Sequence, residues 1–143
     1  MPGVVLALAI RPTEGADMRE VERLELDTKR GVVGDYGRHP RRQVTLLDET
    51  AWKAAATEAG DSSHPWTSRR ANILVQGLDL RSLVGQIITL GTSRVKVLGE
   101  VVPCYKMNES LDGLEEALSR DWRGGVYCKV IQSGSLRLEH EIE

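Results

Sequence analysis

The chain contains no phenylalanine, and its tryptophans and tyrosines make up only 4% of its 143 residues. The volume of the core must therefore come from valine, leucine, isoleucine and alanine. An excess of one charge is also missing, since the formal net charge is -2. Nucleic acid is not expected as a partner, because neutralising its phosphates requires a basic excess. Local basic clusters can still bind one small anion.

Long apolar runs are absent as well. No stretch approaches the roughly 20 apolar residues that span a bilayer, and the segment after Met1 lacks the basic region that opens a signal peptide. These features predict a cytoplasmic protein that does not contact membranes. Cysteine is scarce, since Cys104 and Cys128 are the only two in the chain. A disulfide framework and a structural zinc site are therefore not expected.

The composition of the chain is that of one globular domain. Hydrophobic residues make up 41% of the chain and charged residues 28%, proportions typical of a folded protein. No repeat, low-complexity tract or linker divides the sequence, so a single domain over residues 1–143 is predicted. The oligomeric state is not indicated.

Short strands dominate the predicted secondary structure, as apolar runs or as alternating patterns. The predicted strands cover residues 4–10, 21–26, 43–46, 72–75, 87–90, 94–101 and 126–130. Gly91-Thr92 marks a hairpin between two of them. A final strand with Leu136 and Leu138 is expected to pair with the strand at 126–130.

Two short helices complete the pattern. Asp48 can cap a helix that runs to about Ala59, and Ser110 could cap a second whose apolar face lies between residues 111 and 118. Many short strands, two short helices and glycine-marked turns predict a mainly β fold, a barrel-like sheet with helices outside it.

The segment from Lys29 to Arg42 has glycines, basic residues and no period, which predicts a loop. It is not a phosphate-binding P-loop, because no Gly-Lys-Ser/Thr follows. Asp35 within it is expected to bond local backbone. The histidines are scattered along the chain, and their spacing indicates no metal site. They are His39, His64 and His140.

Cys104 follows Pro103 at the predicted end of a strand. Proline cannot donate to a β-ladder, so pairing should stop here and the thiol can reach solvent or a cavity. Lys106 would favour the thiolate if the loop brings its ammonium close, and thiolates bind soft metals and carry sulfur. Free cysteines are also commonly buried and inert, so position alone leaves both roles open. Cys128 shares parity with two valines and is predicted to point into the core.

Two arginine pairs, Arg41-Arg42 and Arg69-Arg70, precede predicted strands. Guanidinium groups match phosphate oxygens, and the amide of Asn72 can donate and accept towards a heterocycle edge. The two pairs could converge on one anion, or they could lie on the solvated surface.

An ordered series of short motifs runs from about Gly31 to the C-terminus. In chain order these are Gly34-Asp35, Arg42-Gln43-Val44-Thr45-Leu46, Arg70-Ala71-Asn72-Ile73, Gly77-Leu78-Asp79-Leu80, Val84-Gly85, Pro103-Cys104 and Gly124-Gly125-Val126-Tyr127. Each piece alone is weak, but the ordered series resembles the MOSC (molybdenum cofactor sulfurase C-terminal) domain family. The end of the chain departs from this pattern, since Leu138-Glu139-His140-Glu141-Ile142 lacks the family's usual Gly-Asp.

The resemblance implies a β-barrel-rich fold with a cavity for the molybdenum cofactor, a pterin dithiolene that bears a phosphate. Cys104 matches the family's cysteine and would ligate molybdenum or carry sulfur. Arg70 and Asn72 match the family's Arg-x-Asn and would line the cofactor pocket. Arg42 is a further candidate for the phosphate.

Three functions follow from the resemblance. The first is a cofactor-binding oxidoreductase that reduces small N-hydroxylated substrates with electrons from another protein. The second is a persulfide carrier or transferase that receives sulfur on Cys104 from a donor protein. The third is a non-catalytic cofactor-binding or interaction domain in which Cys104 is incidental.

Overall fold

The computed structural model describes residues 3–36, 41–138 and 141–142. Gly37 to Pro40 of the basic loop, with His39, and also His140 lie outside the described residues. The strands are β1 (Gly3–Ile10), β2 (Arg19–Val21), β3 (Arg23–Asp27), β4 (Gly31–Val32), β5 (Val44–Asp48), β6 (Ile73–Gln76), β7 (Ile87–Leu90), β8 (Ser93–Glu100), β9 (Val126–Gln132), β10 (Gly134–Arg137) and β11 (Glu141–Ile142). The helices are α1 (Glu49–Glu58), α2 (Met107–Ser110) and α3 (Leu114–Ser119), with 3-10 helices at Trp66–Arg69 and Leu80–Leu83.

A curled sheet forms the centre of the described structure. Its strands pair in the order β11, β7, β8, β9, β5, β6, β1, and the pairing of β1 with β11 closes the ring. β2 adds to β1, while β10, β3 and β4 form a separate antiparallel sheet. The predicted class, mainly β with a barrel-like sheet and a few short helices, is confirmed.

The alternation of β9 shows how the sequence fills the interior of the curled sheet. Val126 and Cys128 are 0% exposed and Val130 is 2% exposed, while Lys129 between them faces solvent. Successive side chains of a strand point to opposite faces, so one apolar residue in two suffices to build this core. The prediction that Cys128 is a core residue is confirmed.

Two helical connections lie together outside the sheet. β5 and β6 are parallel neighbours, and parallel strands require a crossover, which α1 supplies. The predicted cap is confirmed, because Asp48 Oδ2 accepts from the backbone N–H of Ala51 at 2.9 Å. The second connection, α2 and α3, joins β8 to β9. Trp52 of α1 and Leu118 of α3 belong to one buried cluster, so the two connections pack as one layer.

The second predicted helix begins three residues later than predicted, and another short helix precedes it. α2 ends at Ser110 and α3 begins at Leu114, with Gly113 at φ 88° between them. Glycine adopts this left-handed conformation without steric cost, so the break falls where the leucine spacing alone indicated continuity. Ser110 therefore ends one helix and does not cap the next. No helix among the described residues is long and apolar enough to cross a membrane.

The predicted pairing of the last strand with β9 is wrong. β10 pairs with β3, through Leu136 opposite Leu24. β9 has no edge to offer, because β5 and β8 already occupy both of its sides. The strand predicted at 21–26 is also divided, since β2 joins the curled sheet and β3 joins the smaller one.

Candidate functional site

A cleft of about 620 Å³ opens between the two helical connections. One wall comes from the 3-10 helix Trp66–Arg69 and its flanks, and the other comes from the chain between β8 and the end of α2. The cleft is lined by Asp17, Met18, Pro65, Thr67, Ser68, Arg69, Arg70, Cys104, Lys106, Met107, Glu109 and Ser110. Two of the four residues predicted for the site, Cys104 and Arg70, therefore lie in one cleft.

Cys104 lies where the backbone leaves the sheet. The last ladder-like bond after β8 runs from the N–H of Val101 to the carbonyl oxygen of Gly125 at 2.9 Å. Pro103 is buried and has no N–H to continue the pairing, after which Cys104 is exposed. Its carbonyl oxygen accepts from Met107 N at 3.0 Å and so begins the turn into α2. The thiol thus combines a fixed backbone with access from the cleft.

Arg69 has a positioning role that the sequence did not reveal. Its side chain is buried, Nη2 donates to the carbonyl oxygen of Val101 at 2.8 Å, and Nε donates to that of Gly124 at 3.1 Å. The pKa of Arg69 is lowered to about 10, chiefly because the side chain is buried; Cys104 and Glu100 partly offset this, and the nearby charge of Arg42 adds to it. The group remains protonated at neutral pH. It ties the backbone before Cys104 to the start of β9.

Steric crowding explains why two glycines, Gly124 and Gly125, lie where the segment before Cys104 meets the start of β9. A Cβ atom on Gly124 would lie 2.5 Å from the Val101 carbonyl oxygen and 2.9 Å from Arg69 Nη2. A Cβ on Gly125, which has φ 94°, would collide with the carbonyl oxygen of Leu46. Real Cβ atoms do not approach backbone this closely, so both glycines permit the packing that holds the Cys104 segment.

Arg70 contributes a solvent-facing cation to the cleft. It ends the 3-10 helix in a left-handed conformation with φ 63°, which is uncommon for a residue with a Cβ. Backbone outliers of this kind concentrate at functional sites. Lys106, on the opposite wall, is also exposed. The cleft therefore presents one thiol and two exposed cations, alongside the acidic side chains of Asp17 and Glu109.

Asn72 lies inside the fold and not along this cleft. Its Oδ1 accepts from the N–H of Thr45 at 3.1 Å and from the Thr45 hydroxyl at 3.2 Å. Its Nδ2 donates to the carbonyl oxygen of Ala9 at 3.3 Å and to Asp35 Oδ2 at 3.4 Å. With the side chain 4% exposed, these bonds use its donors and acceptor within the protein. Asn72 joins three segments of the barrel wall.

Asp35 makes a long-range contact, and Arg42 lies outside the residues that line the cleft. Asp35 was expected to bond local backbone, and its Oδ1 accepts from the N–H of Arg11 at 2.6 Å, across 24 residues of chain. The exposed Arg42 guanidinium lies 5.4 Å from the centre of the Tyr127 ring, outside the residues that line the cleft. The surroundings of the described arginines differ: Arg69 is bound to carbonyl groups, Arg70 faces the cleft, and Arg42 lies near enough to Arg69 for its charge to lower the pKa of that residue.

The described structure is a small barrel-like domain with an accessible cysteine where a strand leaves the curled sheet, beside a cleft lined by both basic and acidic side chains. The chain matches the model of the MOSC domain over residues 33–143, and it belongs to this family. The resemblance carried by the ordered motifs is thereby confirmed. The described residues supply structural reasons for several of those motifs.

Solved structures agree on the fold. The YuaD protein from Bacillus subtilis is 22% identical, with a TM-score of 0.86 over 99% of this chain and 94% of that chain. YiiM from Escherichia coli is 20% identical, with a TM-score of 0.77 over 100% of this chain and 69% of that one. YiiM from Geobacillus stearothermophilus is 16% identical, with a TM-score of 0.78 over 99% and 74%. Similarity at these identities establishes the fold alone. No curated protein sequence matches the chain.

Proposed function

We propose that this protein binds the molybdenum cofactor in the cleft, with the Cys104 sulfur as the ligand that the protein provides to the metal. The observation that carries the proposal is the shared location of the exposed thiol with Arg70 and Lys106. A thiolate suits a soft, sulfur-bound metal, and cationic side chains suit the phosphate of the pterin. The cleft volume of about 620 Å³ is in the range of small-molecule sites.

The donor set of the cleft fits this cofactor. Within residues 3–36, 41–138 and 141–142, no group of three or more His, Cys, Asp or Glu side chains is placed to hold a metal ion. A free metal ion would therefore find too few ligands near Cys104. A cofactor that brings its own dithiolene sulfurs needs only one more from the protein. Molybdenum, when bound, supplies two-electron redox chemistry.

The protein's own residues would hold and orient the reacting groups. Arg69 and Gly124 fix the backbone three residues before Cys104, which fixes where the chain that carries the thiol leaves the sheet. Arg70 and Lys106 would bind the phosphate, and the open side of the cleft admits a small N-hydroxylated substrate. The electrons would come from a separate redox protein.

A persulfide carrier is the second candidate. Val102 and Tyr105, which flank Cys104, are 70% and 67% exposed. Exposed apolar side chains beside a reactive thiol suit the transient docking of a sulfur-donor protein. Cys128 is 0% exposed and cannot resolve a persulfide on Cys104 without unfolding. A non-catalytic domain is the remaining alternative.

The two candidates differ in what purifies with the protein. The chain is purified under reducing conditions from a host that makes the cofactor, and bound molybdenum and the fluorescence of the oxidised pterin are measured. We expect both in the wild type, loss of molybdenum in Cys104→Ala, and retention in the matched control Cys128→Ala. Neither signal in the wild type would overturn cofactor binding. Cyanide-releasable sulfur on Cys104 without metal would support the carrier.

A further inference from the structure

Ser110, which lines the cleft, contacts His64, and the proposed function uses neither side chain. His64 Nε2 lies 2.7 Å from the hydroxyl oxygen of Ser110, and His64 Nδ1 lies 3.6 Å from Asp61 Oδ2. Ser110 is exposed and lines the cleft at the end of α2. Asp61 and His64 come from the opposite connection, after α1. A hydroxyl within hydrogen-bond reach of a base that a third group orients is the arrangement of an activated nucleophile.

The imidazole of His64 is held in place by its surroundings. Its ring stacks on Trp52, with 6.1 Å between the ring centres and 27° between the planes. The Trp52 indole N–H donates to the His64 carbonyl oxygen at 3.0 Å, and the His64 N–H donates to the Asp61 carbonyl oxygen at 3.1 Å. The side chain of His64 is only 13% exposed. The ring therefore meets Ser110 in one orientation.

The charge of Asp61 favours one ring nitrogen of His64 as the acceptor. Asp61 Oδ1 accepts from the Ser63 hydroxyl at 2.8 Å and the Ser63 N–H at 3.1 Å. These bonds, with a smaller contribution from His64, hold the pKa of Asp61 below its usual value, so the carboxylate is ionised at neutral pH. A carboxylate can only accept, and at 3.6 Å the negative charge of Asp61 favours the tautomer of His64 that carries its proton on Nδ1, by electrostatic attraction and not by a short hydrogen bond. Nε2 is then the acceptor for the Ser110 hydroxyl.

We propose that Ser110 is a nucleophilic serine and that the protein hydrolyses, in this cleft, esters whose acyl group carries a negative charge. Ser110 Oγ bonds to the carbonyl carbon as its proton passes to His64 Nε2, the ester C–O bond breaks, and the proton leaves with the alcohol. Water then attacks the acyl-serine, releases the acid and restores the hydroxyl, so no oxidant or reductant takes part. Arg70 and Lys106 line the same cleft and select the negative charge.

Ser68 is a matched control within the same cleft. Its hydroxyl donates to the carbonyl oxygen of Pro65 at 2.8 Å, so its proton is committed to a group that cannot act as a base. A carbonyl acceptor leaves the oxygen no more nucleophilic than an ordinary serine. Reaction confined to Ser110 would thus reflect its contact with His64 and not its location.

The test uses an alkyl fluorophosphonate probe on the full chain, with the modified residue located by peptide mass spectrometry. We expect an adduct on Ser110 that forms at an unchanged rate in Ser68→Ala. In His64→Gln we expect labelling about 100-fold slower, the size typical of a lost general base. Asp61→Asn, which changes a half-exposed group and keeps the Trp52 stack, should slow labelling in the same direction if His64→Gln proves unstable. No adduct on Ser110, or equal rates in the folded variants, would overturn the proposal.

The substrate class has a separate readout. Wild type should hydrolyse the p-nitrophenyl ester of 4-carboxybenzoate, whose carboxylate cannot reach its own ester carbonyl, faster than p-nitrophenyl benzoate, each corrected for its rate without protein, and Arg70→Ala should reduce that preference. An equal rate on both esters would contradict the assignment of an anionic substrate. Neither assay requires molybdenum, so a failure here is distinguishable from a failure of the cofactor proposal.

Discussion

Arg69 Nη2 donates to the carbonyl oxygen of Val101 at 2.8 Å, three residues before Cys104. The two residues belong to different helical connections of the barrel, and those connections form the two walls of the cleft. A buried guanidinium that bonds both Val101 and Gly124 thus sets how the walls meet.

Arg69→Met should lower the free energy of unfolding by about 2–4 kcal/mol, because two largely buried carbonyl groups lose a charged donor. The pKa of Arg69 is about 10, below its ordinary value, so both folded and unfolded chains carry the charge at neutral pH. This group can change stability only above about pH 10, and the loss should be constant between pH 6 and 8. Urea denaturation measures it. The control Arg70→Met should change stability by less than about 0.5 kcal/mol, as exposed substitutions usually do. Equal effects in the two variants would contradict the positioning role.

The features that depend on residues close together in the chain were predicted from the sequence. Asp48 identified the start of α1, and the valine parity of β9 placed Cys128 in the core. The sequence did not separate Arg69 from Arg70, because both are arginines before a strand. Which of the two turns inward depends on carbonyl groups of Val101 and Gly124, which are 32 and 55 residues away.

The sequence did not predict the pairing of β10 with β3 for a similar reason, because which strand has a free edge depends on the arrangement of the whole sheet. Asn72 illustrates the same limit at the candidate site. Its amide fits a cofactor edge by chemistry, yet its partners are Thr45, Ala9 and Asp35 in other segments. Only the assembled fold shows that the amide of Asn72 bonds to these groups within the protein.

Asn72→Ala should therefore act on stability. Removing the amide leaves the N–H of Thr45 and the carbonyl oxygen of Ala9 without this partner, which should cost about 2–4 kcal/mol. Thermal unfolding and cofactor content per folded molecule should be measured together. A variant of normal stability that has lost the cofactor would instead support the pocket role first predicted for Asn72.

Arg70→Ala should weaken retention of the cofactor and leave the melting temperature nearly unchanged, because the side chain is exposed and faces the cleft. The pterin retained after dialysis against phosphate buffer provides the measurement. Arg94→Ala, which removes an exposed arginine outside the cleft, is the control. Collapse of the fold in Arg70→Ala would make Arg70 a structural residue.

The two thiols should differ sharply in alkylation. Iodoacetamide should modify Cys104 in the native protein and Cys128 only after unfolding, as peptide mass spectrometry can establish. Burial raises the pKa of Cys128 from 9.0 to about 12. The unfolded chain loses this proton first, so its contribution to stability is complete below pH 9 and declines from there to about pH 12. The stability difference between wild type and Cys128→Ala should shrink in that range. Native labelling of Cys128 would contradict its placement in the core.

The sulfur coordination of molybdenum in the purified protein tests the central claim most directly. X-ray absorption at the molybdenum edge should detect one sulfur ligand fewer in Cys104→Ser than in the wild type, at equal pterin content. Cys128→Ser should match the wild type. An identical sulfur shell in wild type and Cys104→Ser, or a wild type without molybdenum, would contradict the account.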